Sequence, residues 1–160
     1  MSKFQKCIWC IIAMVISFLP GIFGVFFTPH GDSDIWYSSL VRSGLTPPGL
    51  LFSVAWTLWY LLLGLALYLI IKSKKQIKTK ISSYVLFGLQ LLLNAGWTYL
   101  FFGLHMTGLA LFVLMVLIIL SAWMARVFHG INKWAAYCVI PYILWMLFAF
   151  YLNSYIVLMN

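Results

Sequence analysis

The chain has 160 residues, 65% of them hydrophobic and 8% charged, with a mean hydropathy of +1.06 and a formal net charge of +8. This composition excludes a soluble globular domain, and at about 20 residues per span the length accommodates about five membrane helices with short connections. The expected fold is an all-α membrane protein, a five-helix bundle forming one domain over residues 1–160.

The first apolar run, about 7–27, follows Lys3 and Lys6. It is nearer the length of a full span than of a signal-peptide core, and no small-x-small cleavage site follows, so it reads as a retained helix. Pro20 and Gly21 are expected to bend it. Residues 28–46 form the longest connection and hold both acidic residues, Asp32 and Asp34, with Trp36, Tyr37 and Arg42. In so economical a protein, a loop of this length points to function.

Thr46-Pro47-Pro48-Gly49 ends that loop. The paired prolines hold Thr46 extended and pre-set a first helical turn, so a second helix is expected over about 47–71. Trp56, Trp59 and Tyr60 share one face of it at i, i+3 and i+4. Lys72, Lys74, Lys75, Lys78 and Lys80 then make a solvated basic connector. The third span, about 81–102, carries Gln90 and Asn94, with Trp97 and Phe101 continuing the same stripe. The fourth, about 108–128, is aliphatic at first and then offers Ser121, Ala122 and Ala125, which permit close helix packing. The fifth, about 134–158, sets Tyr142, Trp145, Ala149 and Leu152 or Asn153 on one face.

With alternate connections on opposite sides, nine basic residues, Lys3, Lys6, the five connector lysines, Arg126 and Lys133, fall together and Arg42 alone falls opposite. The positive-inside rule then puts the N-terminus in the cytoplasm and the C-terminus outside. Topology and contact with anionic lipid account for the net charge, so no nucleic-acid partner is expected. Counted from the outer helix ends at about 1.5 Å per residue, Trp56 lies roughly 13 Å deep, Asn94 roughly 12 Å, Trp97 and Asn153 roughly 8 Å and Trp145 roughly 20 Å. Trp9, Trp36, Trp123 and Trp134 suit an interfacial belt; Trp56, Trp59, Trp97 and Trp145 are too deep for one and are either core filler or the walls of a pocket. Amides within a span need a partner or a ligand, which favours a shared interior pocket under the 28–46 loop.

The order Trp36-Tyr37, Thr46-Pro47-Pro48-Gly49, Trp56, Tyr60, Asn94-Ala95-Gly96-Trp97 and Pro141-Tyr142-x-x-Trp145-x-x-Phe148-Ala149-x-Tyr151-Leu152-Asn153 resembles the translocator protein / tryptophan-rich sensory protein family, across the whole chain and in register. The resemblance implies a bacterial member: a multi-pass protein of the cytoplasmic membrane, usually a homodimer, that binds tetrapyrroles such as porphyrin or haem. Some members also take sterols and isoquinoline-carboxamide or benzodiazepine-type ligands. It implies a ligand site at Tyr37, Trp56, Tyr60, Asn94, Trp97, Tyr142, Trp145 and Ala149, and assigns Trp56 and Trp145 to any light-dependent porphyrin breakdown. No cofactor beyond the ligand itself is required. The chain departs from the family pattern at Ser43, where a proline is common, and at Leu45, where a tryptophan is common, so a looser or differently lined loop-to-helix junction is expected. The C-terminal sterol motif lacks its basic residue after Tyr155, although Leu65–Lys72 fits the loose sterol pattern.

Cys7-Ile-Trp-Cys10 has redox-like spacing but no further ligands nearby, and the cysteines read as buried thiols, not as a metal site. His30 and His105 read as surface histidines near the pocket mouth, not as haem ligands. No paired membrane carboxylates are present for a proton relay. Three functions remain: a tetrapyrrole sensor or regulator, a tryptophan-dependent photo-oxidative porphyrin-degrading enzyme, and a porphyrin or lipid carrier.

Overall fold

The computed structural model describes residues 2–28 and 34–160. Ser2 opens the first helix with a reciprocal cap: its hydroxyl accepts from the Gln5 N–H, and the Gln5 side chain accepts from the Ser2 N–H. Helix α1 (Lys3–Gly24) then runs through Pro20, whose missing N–H is tolerated within it. A short helix α2 (Ile35–Ser39), capped by Asp34, lies within the connection that the sequence left irregular. Helix α3 (Gly49–Lys72) starts two residues later than expected, because Pro48 holds φ −57° but ψ 148° and is therefore the cap.

Helix α4 (Ile77–Thr98) starts four residues earlier than expected. The reason is Lys80, which is buried and not solvated: its Nζ donates to the carbonyls of Ile71, at 3.1 Å, and Ser73. Those carbonyls at the end of α3 would otherwise have no partner, so the lysine clamps the two helices across their turn. A π-helical turn, Tyr99–Gly103, extends α4 and swings Phe101 and Phe102 into the interior. Helices α5 (Thr107–Ile131) and α6 (Lys133–Met159) are joined through Asn132, which ends the first and caps the second by accepting from Trp134 N–H at 3.0 Å.

Among the described residues five helices, with the π turn counted into α4, are long and apolar enough to cross a membrane. They form a closed ring in which α1 packs on α3, α3 on α6, α6 on α5, α5 on α4 and α4 on α1, so α3 and α4 face one another with little direct contact. The α1–α3 approach is close because of Gly64: a Cβ there would stand 2.6 Å from Met14 Sδ and 3.1 Å from the Met14 backbone. Leu63, Ile70, Leu114, Leu117, Met124 and Met146 fill the centre with no exposed surface, while Leu50, Leu92, Ile119 and Leu144 lie on the outside. An apolar exterior around helices whose backbone bonds are internally satisfied is what a lipid environment requires.

Candidate functional site

A cavity of about 510 Å³ opens between α1, the segment 34–48, the first half of α3 and the end of α4. Trp56 and Tyr60 form its α3 wall, one turn apart on one face. Trp97, Thr98 and Phe102 form its α4 wall, the last of them aimed inward by the π turn. Such turns recur at functional sites because an extra residue re-aims the side chains beyond it. Phe18 and Gly21 supply the α1 wall, and Tyr37 and Arg42 come from the segment above. A Cβ on Gly21 would stand 2.6 Å from Tyr60 Cε2, so the missing side chain is what lets the Tyr60 ring lie against α1.

The aromatic planes form a continuous set. Trp56 and Trp97 stack with centroids 6.3 Å apart and an interplanar angle of 28°. Trp56 meets Tyr60 at 5.5 Å, and Tyr60 meets Phe18 at 5.5 Å. The Trp97 Nε1–H is buried with no hydrogen-bond partner among the described residues. At the mouth, the Arg42 guanidinium lies over the Tyr37 ring, 4.8 Å from its centroid.

Beneath the cavity runs a buried polar chain. Tyr60 OH donates to Asn94 Oδ1 at 3.1 Å, Asn94 Nδ2 donates to Tyr142 OH at 2.9 Å, and Gln90 Nε2 donates to the same oxygen at 2.6 Å. Helices α3, α4 and α6 are thereby tied at mid-bundle, where an unpaired polar group costs most.

Three contacts hold the covering segment down. Trp36 stacks on His105 with centroids 3.8 Å apart and an angle of 8°; His105 sits at φ 56°, in the left-handed region. Asn160 pairs reciprocally with the Val41 backbone, accepting from its N–H at 3.0 Å and donating to its carbonyl at 3.2 Å. Ser43 and Tyr151 share a hydroxyl–hydroxyl bond of 3.1 Å, and Ser43 also accepts from the Leu45 N–H. Of the two outcomes expected at Ser43, a looser or a differently lined junction, the second holds, since Ser43 ties the junction to α6. Leu45 is exposed.

Of the eight residues that the sequence nominated, Tyr37, Trp56, Tyr60 and Trp97 line the cavity. Asn94 and Tyr142 lie behind Tyr60 in the polar chain. Trp145 packs on the far side of the α3 wall, against Phe52 at 5.7 Å and Trp59 at 6.2 Å, and Ala149 is buried in α6. Asn153 donates to the Thr107 carbonyl at 2.9 Å, a link between α6 and α5 and not a pocket contact. Trp36, assigned to an interfacial belt, is partly buried and packs on His105 and Phe101. Cys7 is exposed on α1 and not a buried thiol. His30 and Asp32 lie outside the described residues. Among the described residues, no group of three His, Cys, Asp or Glu side chains could hold a metal ion.

The sequence did not single out the α1 wall or Phe102, and it named Arg42 only as a member of the 28–46 loop. Gly21 and Gly24, one turn apart on α1, were the available signal for a face that another element approaches.

The profile of the TspO/MBR family matches residues 8–159. The chain is similar to the tryptophan-rich protein TspO of Chlorobaculum tepidum, 34% identical over 142 residues that cover 88% of each chain. It is similar also to the tryptophan-rich protein TspO of Archaeoglobus fulgidus, 34% identical over 154 residues that cover 94% of this chain and 96% of the relative. The human translocator protein is 30% identical over 127 residues, covering 78% of this chain and 74% of its own. With five membrane-length helices and a profile match along nearly its full length, the chain belongs to the TspO/MBR family and is an integral, multi-pass membrane protein.

Proposed function

We propose that this protein binds a tetrapyrrole, porphyrin or haem, in the cavity beneath residues 34–48 and acts as a sensor or regulator of porphyrin or stress responses. The observation that carries the reading is the cavity itself. Its volume of about 510 Å³ falls within the range of roughly 300–1,000 Å³ typical of small-molecule sites. Its walls are flat aromatic surfaces, the buried Trp97 N–H has no partner among the described residues, and a guanidinium stands at the mouth. A planar macrocycle with acidic side chains suits all three features: stacking on Trp56 and Trp97, a hydrogen bond from Trp97, and charge pairing with Arg42. Isoquinoline-carboxamide or benzodiazepine-type ligands would use the same walls.

In this reading Tyr37, Trp56, Tyr60 and Trp97 touch the ligand. Asn94 and Tyr142 hold Tyr60 in place, and Trp145 and Ala149 support α3 from behind. The lysine-rich end faces the cytoplasm of a bacterial cell, the cavity mouth opens outward, and the functional unit is a homodimer. The test is titration of the detergent-solubilised protein with protoporphyrin in the dark, followed by its absorption and by tryptophan quenching. Saturable binding that Trp97→Ala weakens is expected; non-saturable partitioning, unaffected by the substitution, would falsify the reading.

Trp56 favours a second reading, photo-oxidative porphyrin breakdown, because it lines the cavity and stacks on Trp97. An indole in contact with a photoexcited porphyrin can exchange an electron with it, so loss of the porphyrin band with a new product in light, and none in darkness, would favour the enzyme. Porphyrin uptake into sealed vesicles would favour a carrier instead.

A further inference from the structure

The opposite end of the bundle carries a second concave site. Where α5 finishes and α6 begins, a groove of about 530 Å³ lies between Arg126 and His129 on one helix and Tyr137 and Ile140 on the other, over a floor that includes Ala125 and Ala136. We propose that this groove binds the phosphate headgroup of an anionic phospholipid, whose acyl chain then runs down the outer face of α6.

Charge is the first support. Among the described residues the only acidic side chain is Asp34, which caps α2 at the other end of the bundle, so no described carboxylate is available to Arg126 or Lys133. Arg126 and His129 are three residues apart on α5 and project to the same side. The guanidinium fork matches two oxygens of a phosphate, and the Tyr137 hydroxyl is a further donor on the facing wall. The His129 and Tyr137 rings have centroids 6.3 Å apart, which brings the two walls together at the groove. The Lys133 ammonium, 5.6 Å from the centroid of the exposed Trp134 ring, flanks the site at the level where lysine and tryptophan meet headgroups.

The second support is apolar and continuous with the first. Tyr137, Ile140, Leu144 and Leu147 repeat at helical spacing on one face of α6, and all four are exposed. A free phosphate would use the donors and leave this track bare. A phospholipid uses both, and the alanine floor leaves room for its headgroup to sit between the helices instead of above them. The inference rests on the membrane-spanning fold and is independent of what occupies the aromatic cavity.

Native mass spectrometry of the full chain in detergent tests it, with dioleoylphosphatidylglycerol and dioleoylphosphatidylcholine as probes of identical acyl chains. One phosphatidylglycerol should be retained per chain in preference to phosphatidylcholine. Arg126→Gln and Lys133→Gln should each weaken its retention about fivefold, as expected for one cation near a lipid phosphate, and leave phosphatidylcholine unaffected. Lys74→Gln/Lys75→Gln, which removes two charges from the nearby connector, should change neither. Arg126 in the groove and Lys133 beside it are both exposed, so thermal unfolding should be unaltered; were Arg126→Gln to fail to fold, Lys133→Gln carries the test. Equal retention of the two lipids overturns the proposal. An equal loss in the connector variant also overturns it, since general surface charge would then suffice. Displacement of the lipid by millimolar inorganic phosphate overturns the lipid assignment in favour of a phosphate site.

Discussion

Tyr60 donates to Asn94 at 3.1 Å, and through this one bond the aromatic wall of the cavity is anchored to the polar chain beneath it. Tyr60 and Asn94 come from α3 and α4, whose backbones come close at few points, so this bond and the Trp56–Trp97 stack together set the spacing of the two walls. It follows that Asn94 acts on ligand binding through Tyr60. Asn94→Leu should leave the Tyr60 hydroxyl buried without an acceptor, at a cost of about 1–3 kcal/mol in unfolding measurements, and should weaken porphyrin binding as well. Combined with Tyr60→Phe, the loss should be smaller than the sum of the two single losses, because the double variant strands neither group of the pair. Strictly additive losses would show that the bond couples nothing.

Trp56 and Trp145 are expected to separate. Trp56→Phe keeps an aromatic plane in the cavity wall, so protoporphyrin should bind within a few-fold of the parent but bleach markedly more slowly in light. Trp145→Phe, one layer removed behind Phe52, should have a smaller effect on bleaching and almost none on affinity. Trp123→Phe, on the exposed face of α5, is the control. Parental bleaching rates in all three variants would assign the photochemistry to the ligand and dissolved oxygen.

Arg42 should discriminate by charge. A hydrogen bond to a charged group contributes about 1.5–3 kcal/mol, so Arg42→Gln should lower the affinity for protoporphyrin about tenfold or more. The dimethyl ester, which has no carboxylate, should bind both proteins alike. Equal loss for acid and ester would mean that Arg42 shapes the mouth through its stacking on Tyr37 and not through its charge.

The Asn160–Val41 and Ser43–Tyr151 contacts should set how long a ligand stays. Each such bond contributes about 0.5–1.5 kcal/mol to closure, so Asn160→Ala and Ser43→Ala should each speed dissociation about two- to tenfold, with association changed less. Stopped-flow displacement of bound porphyrin measures this directly. Unchanged dissociation rates in the double variant would mean that ligand leaves by a route that does not lift residues 34–48.

Orientation can be read with single thiols in a background lacking Cys7, Cys10 and Cys138. Ser39→Cys should react with an impermeant maleimide added to intact cells, and Lys75→Cys only after permeabilisation, as the nine-to-one division of basic residues requires. The opposite pattern would turn the cavity mouth towards the cytoplasm.

Composition alone determined that the chain is a helical membrane protein, because runs of about 20 apolar residues with few charges have few alternatives. Helical periodicity likewise made the 90, 94, 97, 101 stripe of α4 legible as an inward face, and all four residues are buried. Periodicity says which side of a helix turns inward; it does not say which neighbour that side meets. Matching depths put Trp145 and Asn153 beside Trp56, yet the ring order of the helices places Trp145 behind α3 and turns Asn153 to Thr107. The contribution of α1 was harder to read, since its cavity wall depends on Gly21 and Gly64 admitting α3 at close range, and glycines on a helix face signal a close approach without saying which element makes it. Ser43, Asn160 and Lys80 act through partners 108, 119 and as few as 7 residues away, and the first two pairings exist only once α6 has brought its end back beneath residues 41–43. Local chemistry chose the helices and their faces; long-range packing decided which faces enclose the cavity.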